Sequence, residues 1–263
     1  MRVVSEERLA GGNVSEVVRV GGTVRRGAGP WTPAVHALLD HLAAVGFSGA
    51  PRAYGYDEAG REVLDYLPGE VAHYPLPGFA RTDDSLCELG RLLRRFHDVT
   101  AGFVPPDGAS WYFPVLEPNE VICHGDVAPY NCVFRDGRPV AFIDFDTAHP
   151  GPRVWDVAYA AFRFVPLMAP GSPDGSVSLG EQCRRLRLLC DAYGLETLDR
   201  RDLVRAARDR LLDLDEHIRS QAAGNEAFAA ALAEGHTEIY RAAADHIRAH
   251  ETELRAAALG EFR

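Results

Sequence analysis

At 263 residues, with 46% hydrophobic and 25% charged side chains, the chain can bury the core of one large or two small globular domains. A formal net charge of −10 argues against the basic face of a nucleic-acid binder, and no apolar run reaches the length of a membrane span. All 28 basic residues are arginine, which excludes a Gly-Lys-Ser/Thr phosphate loop and lysine Schiff-base chemistry.

Residues 1–69 read as a small β-rich unit. Strands are expected over 8–12, 16–20 and 23–26, separated by Gly-Gly pairs. The connection from Gly11 to Ser15 is small enough to lay backbone N–H groups over phosphates, although Gly-Gly-Asn is also an ordinary turn. Alternation along the third strand sends Arg25 and Arg26 to opposite faces. Apolar residues at Val35, Leu38, Leu39, Leu42 and Val45 keep a helical period, opened by Thr32-Pro33. The run 61–67 reads as a strand ending at Pro68-Gly69. A helix over 85–97 carries Leu86, Leu89, Leu92, Leu93 and Phe96 on one face, with His97 expected as a satisfied interior polar group.

After a Pro- and Gly-rich crossing, residues 121–146 hold the densest chemistry. An apolar run, Val121 to Cys123, delivers His124, Gly125 and Asp126 into a loop, with Asn131 five residues beyond Asp126. Two β-rich runs, 132–134 and 139–145, flank Asp136-Gly137, a strong hairpin signal. With that turn Arg135 faces Arg138, Asn131 faces Phe142, and Asp144 is the diagonal neighbour of Asn131 at roughly 7–8 Å. Such an amide and carboxylate can share one hard cation of the Mg²⁺ type, with Asp126 beside them as a base. A Pro/Gly-rich stretch from 166 to 175 reads as a linker or lid, followed by helices over 181–193, 201–222 and 226–259. Asp209, Asp213, Asp215 and Glu216, then Glu234, Glu238 and Asp245, gather acid on the last two, where solvated faces are the commoner meaning. Five cysteines without a C-x-x-C pair are expected as reduced thiols, and with no signal-like apolar N-terminus a cytoplasmic location is expected.

The pattern His-x-Asp-x-x-x-x-Asn, followed by a hairpin ending in Ile143-Asp144-Phe145-Asp146, resembles the catalytic core of the protein-kinase-like fold. Gly125 in place of the usual Arg, and Asp-Phe-Asp in place of D-F-G, are similar to the aminoglycoside phosphotransferase and choline-kinase-like branch. The resemblance implies an α+β fold with a β-rich N-terminal lobe (1–69) and a mainly helical C-terminal lobe (70–263). It implies Asp126 as base, Asn131 and Asp144 as Mg²⁺ ligands, and His124 and Asp156 as supports of the catalytic loop. Nucleotide, ATP or GTP, is expected at Gly12, Asn13, Ser15, Arg25, Leu64, Asp65 and Leu67. Arg25 matches the family's anchoring lysine, with Arg26 facing out, and His36 stands where a glutamate usually pairs with that lysine. For Leu64 to Leu67 an edge strand entering a turn reads equally well, and Asp146 is open between a second ion and the loop.

The expected reaction is phosphoryl transfer to a hydroxyl of a small, cationic molecule such as an aminoglycoside-like antibiotic, with Asp213 and Glu216 as acceptor contacts. No nucleic acid or membrane partner is expected. Three alternatives stand beside it. One is a nucleotide-binding regulator without turnover, favoured by the altered Lys-Glu pair. Another is a small-molecule kinase for a neutral sugar or amino alcohol. The third is a hydrolytic metal site using His124, Asp126, Asp144 and His149.

Overall fold

A computed structural model describes residues 6–9, 17–172, 174–175 and 177–261. The expected phosphate-loop residues Gly11, Gly12, Asn13 and Ser15 lie outside the described residues. The N-terminal sheet is antiparallel, in the order β1-β2-β3-β5-β4. Its strands are β1 (Glu6–Arg8), β2 (Val18–Val20), β3 (Thr23–Arg26), β4 (Ala53–Tyr56) and β5 (Glu62–Asp65). β5 lies beside β3 with Arg26 opposite Glu62, which sets the chemistry described below. α1 (Thr32–Ala44) follows β3, with Trp31 rather than Thr32 at the N-cap and Pro33 in the first turn. Val35, Leu38, Leu39 and Leu42 are buried, as their spacing requires.

Beyond Pro68-Gly69 the chain joins a different sheet. β6 (Glu70–Val71) pairs with β8 (Cys132–Arg135), which pairs with β9 (Arg138–Phe142). Asp136 and Gly137 turn the hairpin at positive φ and Arg135 faces Arg138, but the register then shifts. Phe134 pairs with Pro139 and Val133 with Ala141, so Val140 is an extra residue. Pro139 brings no N–H to the ladder, and a bulge is where a strand tolerates that. The correction propagates: Cys132, not Asn131, faces Phe142, and Asn131 lies opposite Ile143, whose N–H donates to its carbonyl at 2.9 Å. Asp144 leaves the ladder altogether and turns left-handed, at φ 63° and ψ 66°.

The rest is helical around a short ribbon of β7 (Val121–Cys123) and β10 (His149–Gly151). α2 (Asp83–Thr100) starts at Thr82, whose hydroxyl accepts from the Ser85 N–H. α3 (Arg153–Phe164), α4 (Leu179–Tyr193) and α5 (Thr197–Gln221) follow. The expected helix over 226–259 is three: α6 (Glu226–Ala233), α7 (His236–Ala249) and α8 (Glu251–Leu259). Gly235 at φ 81° and His250 at φ −118° interrupt it, outside helical geometry.

Phe96 on α2 joins the hairpin to the helices. Its ring lies 6.0 Å from Phe142, 5.9 Å from Phe145 and 6.0 Å from Phe47, so one side chain packs under the strand that carries Asp144. Phe96→Ala is expected to cost roughly 3–5 kcal/mol in urea unfolding, the cavity cost of a fully buried phenylalanine. A loss below about 1 kcal/mol would show that α2 is not seated on the hairpin.

Candidate active site

The loop from His124 to Asp126 is built on one buried carboxylate. Asp156, in the first turn of α3, accepts from the backbone N–H groups of His124 at 2.8 Å and Gly125 at 3.0 Å. His97 Nε2 lies 3.1 Å from the same carboxylate, and its Nδ1 lies 2.7 Å from the Tyr193 hydroxyl. Burial pulls the Asp156 pKa up, but the hydrogen bond and charge of His97 and the loop amides reverse this and hold it below the usual carboxylate range. Burial also keeps His97 below its ordinary value, as expected for an interior imidazole. Gly125 turns at φ 84°, and a Cβ there would stand 2.3 Å from the Thr147 carbonyl oxygen, so glycine is required. His124 and His149 are both buried. His124 Nε2 bonds the Ile143 carbonyl at 3.0 Å and His149 Nδ1 the Thr147 carbonyl at 2.8 Å. Among the described residues no cluster of three His, Cys, Asp or Glu could hold a metal, so the hydrolytic metal reading finds no support.

Asp126 emerges where this loop turns. Its Oδ2 accepts from Asn131 Nδ2 at 2.8 Å and its Oδ1 from the Tyr130 hydroxyl at 3.1 Å. Burial raises its pKa, and Arg163 and His124 partly offset that rise. Tyr130 and Tyr159 meet hydroxyl to hydroxyl at 3.3 Å, and Arg163 Nε donates to Tyr159 at 3.1 Å. Tyr130, Tyr159 and Arg163 escaped the sequence reading, because aromatic residues at helical spacing look like any core.

Across from this loop the structure corrects the strand assignment. Arg26, not Arg25, points into the cleft and is buried. Its Nη1 donates to Asp144 Oδ1 at 2.5 Å, its Nη2 to Asp146 Oδ1 at 2.6 Å, and its Nε to Glu62 Oε1 at 2.5 Å. Arg25 lies on the other face, with Nη1 on the Thr23 hydroxyl at 2.6 Å and Nε 3.8 Å from Asp57. The two arginines do alternate as a strand demands, but Arg26, expected to face out, is the buried one and meets the aspartates. His36 does lie beside this cation, yet its Nε2 reaches Glu62 at 3.0 Å, so the carboxylate comes from β5 rather than from α1. Glu62 directly faces Arg26 across the ladder. That signal was present in the sequence, but only once β3 and β5 are known to be neighbours.

Burial opposes the charge on Arg26, but Asp144, Asp146 and Glu62 more than reverse it and raise its pKa. Burial and the neighbouring Asp144 and Glu62 push Asp146 up to about 6, although Arg26 acts against them. The Trp31 indole N–H approaches Asp146 and favours its charged form, but falls short of a hydrogen bond. Asn131, Asp144 and Asp146 therefore offer hard oxygen ligands, and Asp144 is half exposed. Arg26 takes one oxygen of each aspartate. This donor set suits Mg²⁺, which draws most of its ligands from phosphates and water.

At the lobe connection, Leu64 is buried in the core. The Asp65 N–H is used by the Arg52 carbonyl at 3.0 Å, and its side chain accepts from the Tyr54 hydroxyl at 2.8 Å. Leu67 is half-buried, and its N–H has no partner among the described residues. Of the two expected acceptor contacts, Asp213 is exposed beside Arg210 at 3.7 Å. Glu216, also exposed, has no ion pair or hydrogen bond among the described residues.

Two outcomes follow. Arg26→Ala leaves Glu62 buried without its cation and should cost about 3–5 kcal/mol in denaturant unfolding. Arg25→Ala should change the midpoint little, and equal losses would remove the special place of Arg26. Because His97 binds its proton less readily folded than unfolded, stability should fall as pH drops below about 6.5. Asp156 adds a further loss below about 3.8, where the unfolded carboxylate protonates first. The slope of Tm between pH 7 and 5 should be shallower in His97→Gln, and an unchanged slope would contradict this.

The geometry has relatives. A family model for a phosphotransferase enzyme family matches residues 109–203, the span from the crossing loop into the first turns of α5. A trifolitoxin immunity protein from Rhizobium leguminosarum bv. trifolii is 37% identical over 219 residues, 80% of each chain. An amicoumacin kinase in complex with AMP-PNP, Ca²⁺ and Ami superposes with a TM-score of 0.66, at 12% identity over 91% of this chain and 89% of that one. A choline/ethanolamine kinase family protein from Mesorhizobium loti gives 0.62, at 16% identity over 98% and 93%. The fold is thus the two-lobed kinase-like one, with a β-rich N-terminal region and a helical C-terminal region. With the loop, the hairpin and these likenesses together, the chain belongs to the phosphotransferase enzyme family.

Proposed function

We propose that the protein moves the γ-phosphoryl group of ATP or GTP to a hydroxyl of a small molecule. The carrying observation is Asp126, held at both oxygens by Asn131 and Tyr130, with the Arg26, Asp144 and Asp146 cluster at the end of the adjoining hairpin. In this reading nucleotide lies between the lobes, 1–69 and 70–263. Leu64 backs the adenine, and Asp65 C=O and Leu67 N–H face its edge. The loop carrying Gly12, Asn13 and Ser15 covers the phosphates. Arg26 takes the anchoring role first assigned to Arg25, because only its guanidinium lies among the aspartates. Asn131 and Asp144 would hold Mg²⁺, which when bound supplies charge neutralisation across the phosphates.

Asp126 orients the acceptor hydroxyl and takes its proton as the oxygen–phosphorus bond forms and the bond to the nucleoside diphosphate breaks. The transition state is loose, so positioning and charge account for most of the rate. The acceptor we propose is hydroxylated and cationic, an antibiotic of the aminoglycoside type being one such molecule. The net charge of −10 supports this. So does Asp213, whose charge is felt by His217. Arg163 and Arg210 already place positive charge around the base, so the substrate's cationic group belongs at the rim near Asp213. The immunity role in the name of the relative fits removal of a toxic small molecule, in the cytoplasm by this reading.

A regulator without turnover is the second reading, favoured by Arg26 and Glu62 standing where a Lys-Glu pair would be. Hydroxylated amines, sugars and antibiotics incubated with labelled ATP or GTP separate the two readings, since a regulator binds nucleotide and forms no product. Asp126→Ala should abolish transfer while Mg²⁺–nucleotide affinity stays within about threefold of wild type. Near-normal kcat in this variant would refute Asp126 as the base. Asp213→Asn should raise acceptor KM with little change in kcat. A neutral sugar as best acceptor, with salt-independent KM, would remove the cationic acceptor and leave the kinase reading intact.

A further inference from the structure

Arg210 of α5 lies 85 residues from the catalytic loop in sequence and touches its backbone. It is only 2% exposed. Its guanidinium lies over the rings of Phe113 at 5.2 Å, Trp155 at 5.4 Å and Tyr159 at 5.4 Å. Among the described residues its one ionic partner is Asp213 at 3.7 Å, and the Asp213 side chain is 59% exposed. Among the same residues Nε has no hydrogen-bond partner, and the single hydrogen bond of the guanidinium runs from Nη2 to the Gly125 carbonyl, at 2.8 Å.

Burying a guanidinium with so little counter-charge is unfavourable, and the aromatic faces offset only part of that cost. An apolar side chain would pack the same space at lower cost. What an apolar side chain cannot do is fix the Gly125–Asp126 peptide, which needs fixing. Gly125 is forced to be glycine at φ 84°, and glycine permits the peptide to rotate. The N–H on the Asp126 side of that peptide makes only a long contact, 3.4 Å to His124 Nδ1. Asp156 secures the two preceding N–H groups, and no bond of Asp156 reaches the 125–126 peptide.

We infer that Arg210 is a positioning residue which locks the Gly125–Asp126 peptide and thereby sets the direction of the Asp126 side chain. The loop is held between two buried charges of opposite sign, Asp156 on its amides and Arg210 on its carbonyl. The lock itself is a property of the fold; its consequence for turnover rests on Asp126 being the base.

The test compares Arg210→Leu and Arg210→Lys with Arg185→Leu, a control that removes another buried arginine, one bonded to the Val165, Phe164 and Arg81 carbonyls. Hydrogen–deuterium exchange is read on the amides of residues 124–131, well below each Tm. Mg²⁺-dependent hydrolysis of ATP, with water as acceptor, gives kcat and KM. Arg210→Leu should speed exchange in this loop about tenfold, the loss expected from one charge-assisted hydrogen bond. It should lower kcat by roughly 10–100-fold with KM for ATP within about threefold, as for a misplaced reacting group. Arg210→Lys should recover part of both. Arg185→Leu should lower Tm and leave loop exchange as in wild type. Unchanged loop exchange in both Arg210 variants, or an equal increase in Arg185→Leu, would overturn the lock. Faster exchange with unchanged kcat would overturn the link to turnover. If Arg210→Leu does not fold, the Lys variant carries the comparison alone. Failure of the kinase reading would instead appear as wild-type protein that binds nucleotide and forms no product, with the exchange result untouched.

Discussion

A carboxylate buried in the first turn of α3 holds the His124–Asp126 loop in place. Asp156 sits where no water competes, so its bonds to the His124 and Gly125 amides act at close to their full electrostatic strength. Those amides belong to a loop leaving a strand end, and without Asp156 they would be buried donors lacking partners. His97 in turn bonds the carboxylate and is itself held by the Tyr193 hydroxyl, linking α2 and α4 to the loop. The helical core and the site are therefore one packing problem: what seats α3 against α2 also aims Asp126.

Facing this loop, the N-terminal sheet contributes one cation and one anion on adjacent strands. Arg26 and Glu62 are cross-strand neighbours, so the sheet ladder itself sets their separation. The arginine fork then spans two aspartates at the end of the hairpin, which a lysine point charge would not do. Three carboxylates around one guanidinium leave a local excess of negative charge, the electrostatic condition for recruiting a divalent ion beside phosphates. The helix contributes His36 as a bond to Glu62 rather than a charge partner of its own. A kinase-like cleft with no lysine thus keeps a pre-aimed cation, through a different pair of elements.

The chain places three buried arginines around this site, Arg26, Arg163 and Arg210. Each meets a different environment: carboxylates for Arg26, tyrosines with Asp174 for Arg163, aromatic faces and one carbonyl for Arg210. Guanidinium is weakly hydrated and planar, which makes burial of all three tolerable where ammonium would be costly. Around Asp126 itself, Arg163 and Arg210 place buried positive charge, and Asp156 is the buried acid that holds the preceding amides.

The order of chemistry along the chain was legible in the sequence. The Val121 to Cys123 strand, the His124-Gly125-Asp126 loop, the Asp136-Gly137 turn and the apolar faces of α1 and α2 all rest on local rules that a single chain carries. Alternation fixed that Arg25 and Arg26 oppose each other, but not which of them meets the cleft, because that depends on the sheet's packing. The bulge at Val140, which moved Asn131 opposite Ile143 and freed Asp144 into a left-handed turn, is a response to Pro139 inside a paired strand. Glu62 for Arg26 and Arg210 for Gly125 join residues 36 and 85 positions apart. Such pairs follow from which elements become neighbours, and periodicity says nothing of neighbours. The sequence by itself determined the residue types of the candidate site and their local elements; only tertiary packing decided which charges are buried together, since burial is what gives an ion pair its partner and its strength.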